Sequence, residues 1–430
     1  MKMTTNATSH AFHGLAEPAP GRSRRPPGAR GPYRPRRRKA AGAARPAATF
    51  LTTVVLVSSL LAGAVPALAG TAAPRVTEAD TSSPSSPELR TLLNGVIAAS
   101  VPGALVRVQD HDRIRQAAAG TPDLATGAPL RPQARVRVGS VSKTFVATVV
   151  LQLVGEGRLA LDRPVDHWLP GLLHDGTKIT VRQLLNHTSG LFDYTADPGL
   201  LAGVVQNRRF DPTELVAIAE THPGSFAPGT AWEYSNTNYI VAGLLVQAVT
   251  RHPLGEELQR RIFTPLGLAD TSFPTGTGDL AGYHAHGYVP PDLVPGSGGR
   301  PVDVTGLNPS HAWASGAVVS TAKDISRFYR SLMGGNLLSA RMLQQMKTTT
   351  AESPTDPDFR YGLGIERVQD RCGVNWGHGG AIFGYETMAY WNESTGRTVV
   401  MASTIHPAPA AAGTALAAAA DRALCGEPRP

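Results

Sequence analysis

Ser140 and Lys143 stand one helical turn apart, at a point where a short β-like run, Arg135 to Val138, ends at Gly139. From Val141 onward, Phe145, Val146, Val149, Val150, Leu151 and Val154 follow the i, i+3, i+4 spacing of a buried helix. Ser140 is therefore expected at the mouth of a helix, with Lys143 on the same side. That placement suits nucleophilic catalysis. The first N–H groups of a helix favour a developing anion, and an amine beside a hydroxyl lowers its proton affinity. The spacing recurs at Ser320 and Lys323, where Thr321 followed by Asp324 reads as a helix cap. Spacing alone does not single out a nucleophile, so Ser140 needs partners elsewhere.

Two segments supply them. Tyr234-Ser235-Asn236 is a Tyr-x-Asn just before a helical pattern, and His378-Gly379-Gly380 lies among the C-terminal strands. Other chemistries are less well served. There is no Gly-x-Ser-x-Gly elbow to make His-Gly-Gly the oxyanion segment of an α/β-hydrolase. His284-Ala285-His286 has no companion HExxH or Cys/His ligand set, so neither a metal nor a cofactor is expected.

The elements that must position these residues begin well inside the chain. Residues 1–46 are rich in Arg, Pro, Gly and Ala, and the apolar run Phe50 to Ala62 is followed by Ala67-Leu68-Ala69. A basic region, a short apolar core and an A-x-A site describe a secretory signal over residues 1–69, and the run is too short for a stable membrane span. Of the 41 Lys+Arg, 11 fall in residues 1–69 with one of the 33 Asp+Glu, so the remainder is near neutral and the net charge of +8 belongs to the leader. Basicity is then no argument for a nucleic-acid partner. Residues 70–86 read as a flexible spacer. The chain has two cysteines, Cys372 and Cys425, and in an exported protein such a pair suggests a disulfide.

In order, the patterns predict a helix over 87–100, strands Gly103–Asp110 and Arg113–Ala119, the Ser140 helix, and a short helix over Thr180–Leu185. A helix capped by Asp211, one after Asn236 and one over Glu256–Pro265 follow, then an irregular Gly- and Pro-rich stretch over 274–311 of the kind that borders active sites. Strands are expected at Tyr361–Arg367, Gly373–Trp376, Ala381–Trp391 and Thr398–Thr404, and an Ala-rich helix over Ala408–Leu424. Strands at both ends with helices between imply one sheet built from both termini and an all-helical insertion.

A Ser-x-x-Lys, then a Tyr-x-Asn, then a His-x-Gly on a late strand resembles the serine β-lactamase and DD-peptidase superfamily, and within it the secreted D-alanyl-D-alanine carboxypeptidases. Leu169-Pro170-Gly171-Leu172-Leu173, Ile262-Phe263-Thr264-Pro265-Leu266 and the placement of Cys372 and Cys425 are similar to theirs. The resemblance implies an α/β (α+β) fold of β-lactamase/transpeptidase type: an antiparallel sheet flanked by helices with an all-α subdomain. The hydrolase domain would span 87–430, with the sheet subdomain from about 87–139 and 312–430 and the helical one from about 140–311. It further implies that Ser140 attacks a carbonyl to form an acyl-enzyme, that Lys143 takes its proton, and that Tyr234 passes a proton to the leaving amine. Asn236 would bind the substrate amide together with Gly379, Gly380 and Ala381. His378 would orient the relay, and the N–H groups of Ser140 and Ala381 would form the oxyanion hole.

The implied protein is a secreted monomer hydrolysing D-Ala peptides of peptidoglycan, or binding a β-lactam. A β-lactamase, an esterase, a D-aminopeptidase or a penicillin-binding module that does not turn over are the alternatives. One departure bears on specificity. The relatives carry hydroxyl residues where this chain has Gly379 and Ala381, and counting back from Cys372 puts Glu366 where they place an Arg. Arg367 would face the other side of the strand. On the export reading, N-terminal sequencing of secreted protein is expected to begin at Gly70; material retaining residues 1–69 would overturn it.

Overall fold

The computed structural model describes residues 85–276, 278–294, 296–350 and 357–426. The leader and almost all of the spacer lie outside them. The first strand pair, β1 (Gly103–Asp110) and β2 (Arg113–Gly120), forms a hairpin across His111-Asp112. The remaining strands of the sheet come from the other end: β3 (Phe359–Tyr361), β4 (Glu366–Asp370), β5 (Gly373–Ile382), β6 (Tyr385–Asn392) and β7 (Thr398–Ser403). They assemble in the order β2-β1-β7-β6-β5-β4-β3, antiparallel at every pairing. Seating β1 beside β7 brings the two ends of the chain into one sheet, with Leu105 opposite Ala402 and Val106 opposite Met401.

Both faces of the sheet are covered, which is why β1 is apolar at successive rather than alternate positions. On one face lie α1 (Pro87–Ala98) and α7 (Ala410–Cys425), closing a core of Leu89, Leu93, Val106, Met401 and Leu416. Ser86 caps α1 on the N–H of Leu89 at 3.4 Å, and Pro87 occupies the first turn, where its missing N–H costs nothing. On the other face are α2 (Ser142–Gly155) and α6 (Ala322–Met333), with Phe145 of α2 stacked on Phe328 of α6 at 3.8 Å between ring centroids. Burying each such side chain is worth roughly 1.5–3 kcal/mol. Between them the chain forms helices α3 (Val181–Leu185), α4 (Pro198–Val205) and α5 (Thr237–Thr250). No helix among the described residues is long and apolar enough to cross a membrane.

Several boundaries differ from the sequence expectations. Ser140 is not on the first turn of the α-helix but in a single 3-10 turn, Gly139–Val141, from which α2 continues at Ser142. Gly139 sits at φ +51°, a left-handed conformation that a side chain disfavours, and this tightens the turn. The run Ala381–Trp391 is not one strand: β5 extends to Ile382, and Phe383-Gly384 turns into β6 with Gly384 at φ +86°. Tyr361–Arg367 is likewise divided, because Gly362 bonds back to Ile365 and separates β3 from β4. Asp211 precedes the helix Pro212–Glu220 but makes no side-chain cap bond to it.

Cys372 and Cys425 are joined in a disulfide 53 positions apart, tying the β4–β5 turn to the end of α7. In the chain-entropy view a loop of that length is worth roughly 4 kcal/mol. Replacing both cysteines by Ser is expected to lower the melting temperature by roughly 5–8 °C; calorimetry showing no change would contradict that.

Candidate active site

The nucleophile turn and strand β5 approach each other closely. A Cβ on Gly139 would stand 2.7 Å from the backbone nitrogen and oxygen of Ala381, and one on Gly380 would stand 2.0 Å from the carbonyl of Val138 and 3.1 Å from the nitrogen of Ser140. Two glycines therefore let the backbone of Ser140 and that of Ala381 come side by side, as an oxyanion pocket requires.

Lys143 is fully buried, and its amine touches three oxygens: Ser140 Oγ at 3.0 Å, Asn236 Oδ1 at 2.7 Å and the carbonyl of Ser315 at 2.9 Å. Burial lowers the amine to a pKa of about 7, against the opposing pull of Asp193 and Glu366. A neutral amine has two hydrogens and one lone pair. Asn236 Oδ1 and the Ser315 carbonyl can only accept, so they take the two hydrogens and direct the lone pair at the hydroxyl of Ser140. The Asn236 amide is itself fixed, because its nitrogen donates to Asp193 Oδ2 at 2.9 Å. Lys143 is thus set to receive the serine proton.

Tyr234 hydrogen-bonds to Ser140 from the other side, and its ring lies 4.8 Å from Lys143 Nζ. Neighbouring cations do not make it a phenolate: burial dominates and raises its pKa well above the usual 10, so it stays a neutral phenol that can pass a proton. His187 packs against it with ring centroids 4.3 Å apart. The Nδ1 of His187 accepts from the N–H of Ser235 at 3.2 Å and faces Asn238 Nδ2 at 3.1 Å, and burial holds the ring neutral. His378 lies further back, 6.4 Å from Tyr234 between centroids, with Nε2 bonded to the Tyr361 hydroxyl at 2.8 Å.

Ser140, Lys143, Tyr234, Asn236, Gly380 and Ala381 are therefore brought together, with His378 and Gly379 one layer behind. Asn236 engages Lys143 and Asp193 and also lines the cleft. The second Ser-x-x-Lys is inert by comparison: Ser320 is buried and bonds Thr271 at 2.8 Å, while Thr321 caps α6 through Asp324. Sequence reasoning missed Asp193 and His187. Asp193 sits on a loop with no periodicity to mark it. The available signal was the polar run His187-Thr188-Ser189 after the short helix; the structure buries all three.

The cleft over Ser140 opens to solvent. One wall is apolar, from Leu200, Leu201 and Val204 of α4 and from Ile382 and Phe383; among the described residues none that lines it is Lys, Arg, Asp or Glu. His311 also lines it, with burial lowering its pKa to about 4. Glu366 stands on β4, paired with Gly377, but its carboxylate is turned beneath β5 rather than into the cleft.

A serine flanked by a buried lysine and a neutral tyrosine, with two backbones converging beside it, defines a serine acyl-transfer hydrolase. The profile of the family described as Beta-lactamase matches residues 89–423, and the chain belongs to that family. Among solved structures, a D-stereospecific amidohydrolase from Streptomyces sp. is 36% identical with a TM-score of 0.71, the match covering 80% of this chain and all of that one. Among curated proteins, esterase EstB of Burkholderia gladioli is 37% identical over 185 residues, 40% of this chain and about half (47%) of the esterase. Penicillin-binding protein 4 of Amycolatopsis lactamdurans is 29% identical over 66% of this chain and 72% of its own length.

Acylation by a fluorescent penicillin or an activated ester is expected to vanish in Ser140→Ala and persist in Ser320→Ala. Lys143→Ala should slow it by about 10²–10⁴-fold. Below pH 7 the amine of Lys143 is an ammonium and cannot accept a proton, so the wild-type rate should rise as pH increases through about 7. A flat profile between pH 5.5 and 8.5 would contradict the base assignment.

Proposed function

We propose that the protein hydrolyses amides and esters of D-amino acids through an acyl-enzyme on Ser140, in preference to peptides ending in a free D-Ala carboxylate. The observation that carries this reading is the uncharged cleft. A carboxypeptidase must hold its substrate's terminal carboxylate, and among the described residues no Lys or Arg lines the cleft, the buried amine of Lys143 being committed to Ser140, Asn236 and Ser315. Where relatives place an Arg, Glu366 is present, and Gly379 and Ala381 offer no hydroxyl. One missing charge-assisted hydrogen bond is worth roughly 1.5–3 kcal/mol, about ten-fold or more in kcat/KM.

The apolar wall from Leu200, Leu201, Val204 and Phe383 supports an acyl group with a large apolar side chain. The D-configuration is supported by similarity to the D-stereospecific amidohydrolase, and ester cleavage by that to the esterase. In the reaction Lys143 accepts the Ser140 proton as the carbonyl is attacked. The N–H groups of Ser140 and Ala381 hold the oxyanion, and Tyr234 delivers a proton to the leaving amine or alcohol, its own proton being replaced by the one Lys143 took from Ser140. Water then takes the place of the leaving group.

A hydrolysis panel tests this. D-phenylalanine amide and D-leucine methyl ester should exceed acetyl-D-Ala-D-Ala by about ten-fold or more in kcat/KM, and their L-enantiomers should be slower. A preference for the free acid would sink the proposal and restore the carboxypeptidase reading.

A further inference from the structure

Glu366 is 2% exposed, lies outside the cleft, and has no part in the steps above. An acid in such a place needs a fixed set of hydrogen-bond donors. Its Oε2 accepts from the N–H of Gly379 at 3.0 Å and from the Tyr390 hydroxyl. Its Oε1 faces His378 Nδ1 at 3.4 Å. Gly377, the residue paired with both Glu366 and Tyr390, makes this possible. A Cβ there would stand 2.6 Å from Tyr390 Cδ1, so only a glycine lets the Tyr390 ring cross β5 and reach the carboxylate.

We propose that Glu366 is the positioning residue of the active-site strand: its carboxylate holds the Nδ1–H of His378 and the N–H of Gly379, fixing the histidine tautomer and the line of the backbone that leads to Ala381. The tautomer follows from the partners. His378 Nδ1 faces two acceptors, Glu366 Oε1 and the carbonyl of Gly379, so the hydrogen belongs there. Nε2 then carries the lone pair and takes the one hydrogen of the Tyr361 hydroxyl. The other tautomer would set the Nδ1 lone pair against the Gly379 carbonyl and the Glu366 carboxylate, acceptor against acceptor.

The other groups around the carboxylate are Lys143 of α2, Tyr329 of α6, Tyr361 of β3, Tyr390 of β6 and Tyr234. Lys143 is the cation among them, and the negative charge of Glu366 raises its proton affinity. Burial lifts Glu366 itself to a pKa of about 7, while the bond from Tyr390 acts to lower it.

Glu366→Gln tests the assignment in the full chain. The glutamine oxygen can keep both Oε2 bonds, while its NH₂ group confronts His378 Nδ1. We expect kcat on p-nitrophenyl acetate to fall about ten- to a hundred-fold with little change in KM, and the acid limb of the rate to move to lower pH. The ¹⁵N signature of His378 should change from Nδ1–H to Nε2–H. That last readout depends on no substrate, so an unchanged tautomer overturns this proposal even if the D-amide reading holds, and a changed tautomer supports it even if that reading fails. Should Glu366→Gln not fold, Tyr390→Phe serves. Losing that bond should raise the pH at which the His378 nitrogens respond to Glu366, and no movement would overturn the proposal.

Discussion

The burial of one amine governs this active site. Lys143 has no exposed surface, and an ammonium in such a place is costly unless every hydrogen finds an oxygen. Three oxygens are supplied by three separate parts of the chain: the nucleophile turn, the start of α5, and the residues just before β-like Val319–Ser320. The amine can exist in either protonation state near neutrality only because those three elements are packed around it. Helix α2 is correspondingly buried on all sides rather than along one stripe. The helical insertion and the sheet are thus held to a common purpose by a group of a few atoms.

The sheet meets that requirement from the opposite side. β5 carries Trp376, His378 and the glycines that allow the close approach to Gly139, and its neighbours β4 and β6 each send one polar side chain beneath it. The disulfide at Cys372 fastens the turn between β4 and β5 to α7, so the strand pair bearing Glu366 and His378 is anchored at its far end. Rigidity arrives from covalent and apolar sources, leaving the polar groups free to serve geometry.

Much of this was legible in the chain. Ser140 and Lys143 could be paired because helix periodicity translates a spacing of three into a shared face. The order of motifs, the antiparallel strands and the pairing of Cys372 with Cys425 agreed with the structure. Glu366 was located by counting along a strand, but its orientation was not, since that depends on Gly377 making room for Tyr390. Asp193 and His187 were not found, because loop residues have no period and their partners are more than 40 positions away in sequence. What holds Tyr234 as a neutral phenol could not be read from the chain, because desolvation is a property of the packed whole.

Gly139 and Gly380 carry a consequence for how such a scaffold can diverge. At each, any other residue drives a Cβ into backbone rather than into a side chain that could be trimmed elsewhere. No second substitution relieves that collision, so the two positions are closed to gradual change. On the cleft wall of α4 the reverse holds at Leu201, which is 41% exposed, so its side chain can change without a backbone collision. Lineages built on this frame would accordingly alter the acyl group they accept through α4 while inheriting the oxyanion face unaltered.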